Sequence, residues 1–264
     1  MTTSKPTIFF RNDDVRDILD NSLIGFTETF IKFGFPVCHA VEPGNLSEKV
    51  AEWLIEIKVN QPDLIEVIQH GFNHNKDNPT IKMEFGGSRD FRSQIKDITE
   101  GKIILDNYFG KSWTQVFTFP YGTYNQATLQ ALDYLGYRAI SSKIQFSVTS
   151  RIKNQVGQIL GKDIILGKKI NYHPKFRKGY SFKEISVSAN LIRRYTGYDT
   201  AEHFTLNEII GQIKEASRYT NLIGVLFHHR FHQNQLPMIE ELLTWVQSQG
   251  YPVKTFKSIL EENQ

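Results

Sequence analysis

The sequence predicts an α/β fold built on a parallel sheet with helices outside it. Two observations carry the prediction. Short apolar runs bounded by turn residues alternate with longer amphipathic stretches, and the connections between them are short. A third observation agrees: polar clusters follow directly on the strands, where parallel α/β folds bind their ligands. An open doubly wound sheet and a barrel both satisfy this order.

The elements follow in sequence. Strands are predicted at Ile8–Phe10, Pro36–Val41, Leu64–Gln69, Val116–Phe119, Tyr137–Ser141 and Ile223–Phe227, with a short one at Val253–Thr255. Helices are predicted at Ile18–Phe33, Ser47–Lys58, Arg89–Phe109, Asn125–Leu135, Leu206–Tyr219 and Pro237–Gln249, with a last helical turn near the C-terminus. Ser47 reads as an N-cap, and Gly136 and Gly250 read as helix stops. From Lys143 to about Asp199 only short strands at Ile164–Leu166 and Ile185–Val187 stand out. No repeat or linker interrupts the chain, so a single domain over 1–264 is expected, with an insertion or lid at about 143–205.

The 264 residues suffice for one large α/β domain. A net charge of +3 is mildly basic, and no dense basic run marks a nucleic-acid face. No stretch reaches the roughly 18 apolar residues of a membrane span. The N-terminus has no apolar signal core. The lone cysteine, Cys38, lies in an apolar strand and fits a buried inert thiol in a reducing compartment. A cytoplasmic protein is expected.

Four features could carry chemistry. His70-Gly-Phe-Asn-His74 sets two imidazoles four residues apart after a strand, one helical turn, which would face both rings to one point. Such a pair holds zinc or a similar ion; two solvated loop histidines are the alternative. Asp13 and Asp14 are adjacent at the end of the first strand, where neighbours point in opposite directions. One could face a metal and the other a water or substrate, unless they cap the next helix. His228, His229 and His232 follow the strand Ile223–Phe227, a placement suited to acid catalysis. Finally, Phe119-Pro-Tyr-Gly122 implies a tight turn whose backbone could approach a ligand.

Together these features resemble the polysaccharide deacetylase family, the NodB-homology or carbohydrate esterase 4 group. Asn12-Asp13-Asp14 matches its first motif, His70 and His74 its His-x-x-x-His motif, Pro120-Tyr121-Gly122 its third motif, and Leu226-Phe-His228 its Leu-x-His motif. Gly136-Tyr-Arg-Ala-Ile140 matches the strand that follows the third motif. The matches occur in the family's order over nearly the whole chain.

The resemblance implies a distorted (β/α) barrel of the NodB type with seven parallel strands. It implies one divalent ion on Asp14, His70 and His74: zinc, or cobalt, nickel, manganese or iron. It implies Asp13 as base, His228 as acid with His229 as runner-up, and Pro120 and the Tyr121 N–H at the substrate oxyanion. The expected reaction removes an N-acyl group, acetyl in most of the family, from an amino sugar or glycan precursor in surface polysaccharide biosynthesis. A sugar-binding pseudoenzyme, or a hydrolase of a non-sugar amide, formamide or ester, is the alternative. Three departures stand out. Gly71 replaces the usual Ser or Thr, Thr118 falls near the position of the Arg that orients the base, and the Asp-Trp partner of the acid is missing, with Asp163 a loose candidate. The basic stretch Lys168–Arg177 suits a phosphate-bearing or acidic substrate; a solvated surface insertion is the alternative.

Overall fold

The computed structural model describes residues 5–75, 82–146, 148–160, 164–165, 168–169, 179–197 and 200–262. In chain order the elements are β1 (Thr7–Val15), α1 (Asn21–Lys32), β2 (Val37–Val41), α2 (Glu48–Asn60), β3 (Ile65–His70), α3 (Phe91–Phe109), β4 (Val116–Thr118), α4 (Gln126–Tyr134), β5 (Ala139–Ser141) and α5 (Val148–Ile159). They continue with β6 (Ile164–Ile165), β7 (Lys168–Lys169), β8 (Lys183–Glu184), β9 (Val187–Asn190), β10 (Ile192–Tyr195), β11 (Ala201–His203), α6 (Leu206–Ala216), β12 (Leu222–Phe227), α7 (Leu236–Gln249) and α8 (Phe256–Glu261).

By its contacts the chain divides into two compact units, Met1–Val41 with Leu46–Val67 and Val187–Gln264, and Glu42–Asn45 with Ile68–Ser186. The first carries strands in the order β9-β12-β1-β2-β3. The second continues from the end of β3 through β4 and β5 to β8. Strand β3 thus runs through both units, and the eight strands form one sheet whose registered pairs are parallel. The α/β expectation holds with eight strands rather than seven. One of the eight, β8, is a two-residue strand paired with Ala139 and Ile140.

In the first unit the core forms around β1 and β12. Phe10, Phe26, Phe30 and Phe227 are fully or almost fully buried and meet at ring separations of 4.9–6.0 Å. Phe9 lies across from Gly224 in the β1–β12 register, and a Cβ at Gly224 would stand 2.3 Å from the Phe9 ring. Only glycine lets that ring lie against the neighbouring strand. Buried Glu66 on β3 accepts from the Phe256 and Lys257 N–H groups at 2.7 and 2.8 Å, placing a carboxylate on the N-terminus of α8. In the second unit Phe85, Phe117 and Tyr137 pack edge to face, and buried Gln69 donates to the Gly71 and Ile98 carbonyls.

Local signals account for most helix ends. Ser47 caps α2 by accepting from the Val50 N–H, as expected. Helix α1 starts at Asn21 rather than Ile18, because Asp20 takes the cap by accepting from the Leu23 N–H. Asp13 and Asp14 are therefore not caps. Val253 makes a single bridge to Ile8 in place of the expected short strand. Helix α5 and the β10–β11 hairpin were not foreseen. Among the described residues, no helix is long and apolar enough to cross a membrane.

Candidate active site

Strand β1 runs on past Phe10 and takes Arg11, Asn12, Asp13 and Asp14 into the sheet. Its register against β2 shifts between Asn12 and Val15, a bulge that redirects side chains at the strand end. Alternation still governs the segment. Arg11 and Asp13 share a face, and Arg11 grips Asp13 with two parallel bonds, Nε to Oδ1 at 2.8 Å and Nη2 to Oδ2 at 2.9 Å. Both side chains are almost fully buried, at 4 and 5% exposure, so this fork is a fixed part of the interior rather than a surface pair. Asp14, also buried, sits at φ 63°, a left-handed conformation uncommon outside glycine. Such local strain concentrates at functional positions.

Asn12 faces the other way and ties two histidines together. Its Nδ2 lies 3.2 Å from His39 Nδ1 and 3.2 Å from His229 Nδ1, and its Oδ1 accepts from the His229 N–H at 2.9 Å. Burial lowers His39 to about 3. Burial, with His39 nearby, lowers His229 to about 3 as well. Both rings therefore stay neutral near pH 7. Burial also lowers His232, whose Nδ1 lies 3.0 Å from His203 Nε2.

His228 is placed differently. It ends β12 almost fully buried, and the Tyr195 hydroxyl lies 3.3 Å from its Nε2. Burial of that hydroxyl, with Asp14 and Asp13 nearby, raises the Tyr195 pKa, so the phenol keeps its proton. Tyr195 is thus a hydrogen-bond partner of the His228 ring. Asp163 lies outside the described residues, as does most of Lys168–Arg177.

In the second unit His70 ends β3, and the chain turns sharply instead of winding into the expected helical turn. Gly71, His74 and Asn75 all take positive φ, at 57, 56 and 54°. The turn still brings the two imidazoles together, with Nε2 atoms 3.0 Å apart. Glu42 Oε1 lies 3.7 Å from His74 Nε2, while Asn45 bridges Glu42 to the Asn73 carbonyl. Tyr121, at φ 57°, donates its hydroxyl to the His74 carbonyl at 3.0 Å.

Beneath the turn, buried Glu84 accepts from the Phe72 and Asn73 N–H groups at 3.1 and 2.6 Å. Burial raises Glu84 to about 7 against these bonds. A Cβ at Gly71 would fall 2.2 Å from Glu84 Oε2 and 2.3 Å from the Pro120 ring. This explains the absence of Ser or Thr there: Glu84 and Pro120 fill the space a side chain would need. Pro120 is therefore placed against Gly71.

The buried histidines set a pH dependence for stability. His39 and His229 protonate near 6.5 when unfolded and near 3 when folded. Their stabilisation is complete above 6.5 and is lost as pH falls toward 3, by up to about 1.4 kcal/mol per pH unit for each ring. Glu84, raised from 4.5 to about 7, opposes this, since its contribution is lost as pH rises through that interval. Two imidazoles outweigh one carboxyl. Denaturant midpoints with a chelator present should therefore fall between pH 6.5 and pH 5; a flat or rising profile would contradict the buried-neutral assignment.

Sequence reasoning missed Arg11, Glu84 and Tyr195. Arg11 could have been found from period-two alternation, since it lies two residues before Asp13. The other two depend on tertiary packing and left no local signal.

The polysaccharide deacetylase family model matches residues 46–140. A search of curated proteins found no match. A family 4 acetyl xylan esterase from Clostridium thermocellum, solved with a cobalt ion, is 12% identical with a TM-score of 0.57, covering 97% of this chain and 90% of that one. A Streptococcus mutans carbohydrate esterase 4 enzyme is 12% identical with a TM-score of 0.59, covering 95 and 85%. A carbohydrate esterase 4 pseudoenzyme from Bacillus anthracis is 12% identical with a TM-score of 0.58, covering 97 and 66%. The chain has the carbohydrate esterase 4 fold. Over residues 46–140 it also matches the polysaccharide deacetylase pattern, which agrees with the resemblance of the motifs that lie there, His70 with His74 and Pro120-Tyr121-Gly122.

Proposed function

We propose that this protein is a metal-dependent hydrolase that removes an N-acyl group, acetyl above all, from an amino sugar or glycan precursor. The observation that carries the reading is the convergence of His70 and His74 Nε2 at 3.0 Å. Two imidazoles on one tetrahedral zinc, at about 2.0–2.1 Å each, stand about 3.3 Å apart. With Asp14 of the first motif, the donor set would be one carboxylate and two imidazoles, which suits zinc and also cobalt, nickel, manganese or iron.

A divalent ion there would lower the pKa of a coordinated water and polarise the amide carbonyl. The chain's own residues supply the remaining chemistry. Asp13, held by the Arg11 fork, takes the proton of the attacking water. The Tyr121 N–H, turned by its positive φ, donates to the oxygen that gains charge. His228, held by Tyr195, gives a proton to the departing amine. The chain is read as one catalytic domain in which cations of the 143–205 segment bind a phosphate-bearing or acidic substrate; β8 and β9 lie in the main sheet, so Lys183–Glu184 and Val187–Asn190 are not part of a lid. The single cysteine, Cys38, leaves no internal disulfide, which agrees with a reducing, cytoplasmic setting; a role in surface polysaccharide synthesis is part of the same proposal.

His74→Ala should weaken divalent-metal binding by more than about 100-fold, beyond the loss caused by removing an outer partner of a ligand. Titration calorimetry with zinc and metal analysis of the purified protein would measure this. Wild-type affinity in the variant would defeat the metal assignment. Metal binding and glycan binding without release of amine from any N-acylated sugar would instead assign a pseudoenzyme, the type represented by the Bacillus anthracis structure.

A further inference from the structure

Helix α5 presents an exposed apolar stripe. Val148, Ile152, Val156 and Ile159 are 65, 56, 41 and 78% exposed, and Leu160, one residue beyond the helix, is 57% exposed. At 3.6 residues per turn the four helical positions fall within an arc of about 80°. They form one continuous face, and contiguous exposed apolar surface marks an interaction site more often than scattered residues do.

The charge of the sequence that carries this helix identifies its partner. Between positions 143 and 178 the sequence has nine Lys or Arg residues and a single acid, Asp163. That surplus of eight exceeds the whole chain's net charge of +3, so the rest of the chain is net negative. The cationic character of the protein is concentrated in the stretch of sequence that begins with its exposed apolar helix. We propose that α5 is an interfacial helix that seats the protein on an anionic lipid surface. Its apolar stripe enters the boundary between headgroups and acyl chains, and the cations of this stretch of sequence, Lys143, Arg151 and Lys153 among them, supply the attraction to the headgroups. A second copy fits this face poorly, because pairing through it would bring together two segments each eight charges positive.

The inference does not rest on the catalytic reading, because vesicle binding is measured without turnover. Full-length protein should co-sediment with equimolar phosphatidylglycerol–phosphatidylcholine vesicles and bind pure phosphatidylcholine at least about tenfold more weakly, with binding reduced by high salt. The double substitution Ile152→Asp and Ile159→Asp should weaken partitioning by about tenfold or more. Its circular dichroism and melting temperature should match wild type, since both side chains are exposed. Wild-type protein that ignores anionic vesicles, or a double variant that binds them as wild type does, overturns the proposal. So does a concentration-dependent dimer abolished by the double substitution in a protein that binds no vesicles, which would assign the stripe to self-association.

Discussion

Replacing Asp13 by asparagine is expected to slow N-acyl hydrolysis by about 10²–10⁴-fold, the usual contribution of a positioned general base. Asparagine keeps the shape of the side chain and one acceptor for the Arg11 fork but cannot take a proton. Metal content should be unchanged, because Asp14 rather than Asp13 is the proposed ligand. The loss should appear in kcat, with KM little altered, if Asp13 acts during the chemical step. Removing one partner of a buried ion pair can cost about 3–5 kcal/mol, so a thermal melt must accompany the rate to separate lost chemistry from lost fold. A well-folded, metal-loaded Asp13→Asn protein with wild-type turnover would remove Asp13 from the mechanism.

Gly71→Ala is expected to be the most damaging single methyl group near the candidate site. The added carbon would stand 2.2 Å from the Glu84 carboxylate and 2.3 Å from the Pro120 ring, at a φ of 57°. Overpacking costs about 1–3 kcal/mol, and a left-handed backbone adds about 1–2 kcal/mol for a residue with a Cβ. Relief requires Glu84 to withdraw, which would release the Phe72 and Asn73 N–H groups that it holds. The variant should lose several degrees in melting temperature and bind zinc more weakly than wild type. A second substitution, Glu84→Gln, tests the cause: it keeps an acceptor for both N–H groups, so it should retain more zinc affinity than Gly71→Ala. Wild-type stability in Gly71→Ala would mean that the turn has room the distances deny.

Much of this was legible in the sequence, for physical reasons. The strand Leu222–Phe227 announces itself because a strand buried on both faces needs uninterrupted apolar residues. Ser47 was readable as a cap because capping is decided within three residues. The His70–His74 pair was visible by spacing, yet its geometry was not: an expected helical turn is instead a sharp turn with three residues at positive φ. Glu84 and Tyr195 were hidden because each acts on a partner more than ten residues away, across contacts no periodicity encodes. The short strands after Lys143 lack the length for alternation to show.

Arg11 and Asp13 are separated by one residue on one strand. An orienting cation supplied by a distant loop must wait for that loop to close, and any insertion in the loop can mislay it. Here the cation and the base are inherited together as a four-residue cassette, Arg11-Asn-Asp-Asp14. Drift in the segment around Thr118 cannot separate them. The pair needs only one extended strand to form, so it can assemble early in folding, before the long-range partners of that strand arrive. The same cassette is therefore a compact unit to transplant, carrying a proton acceptor already fitted with its counterion.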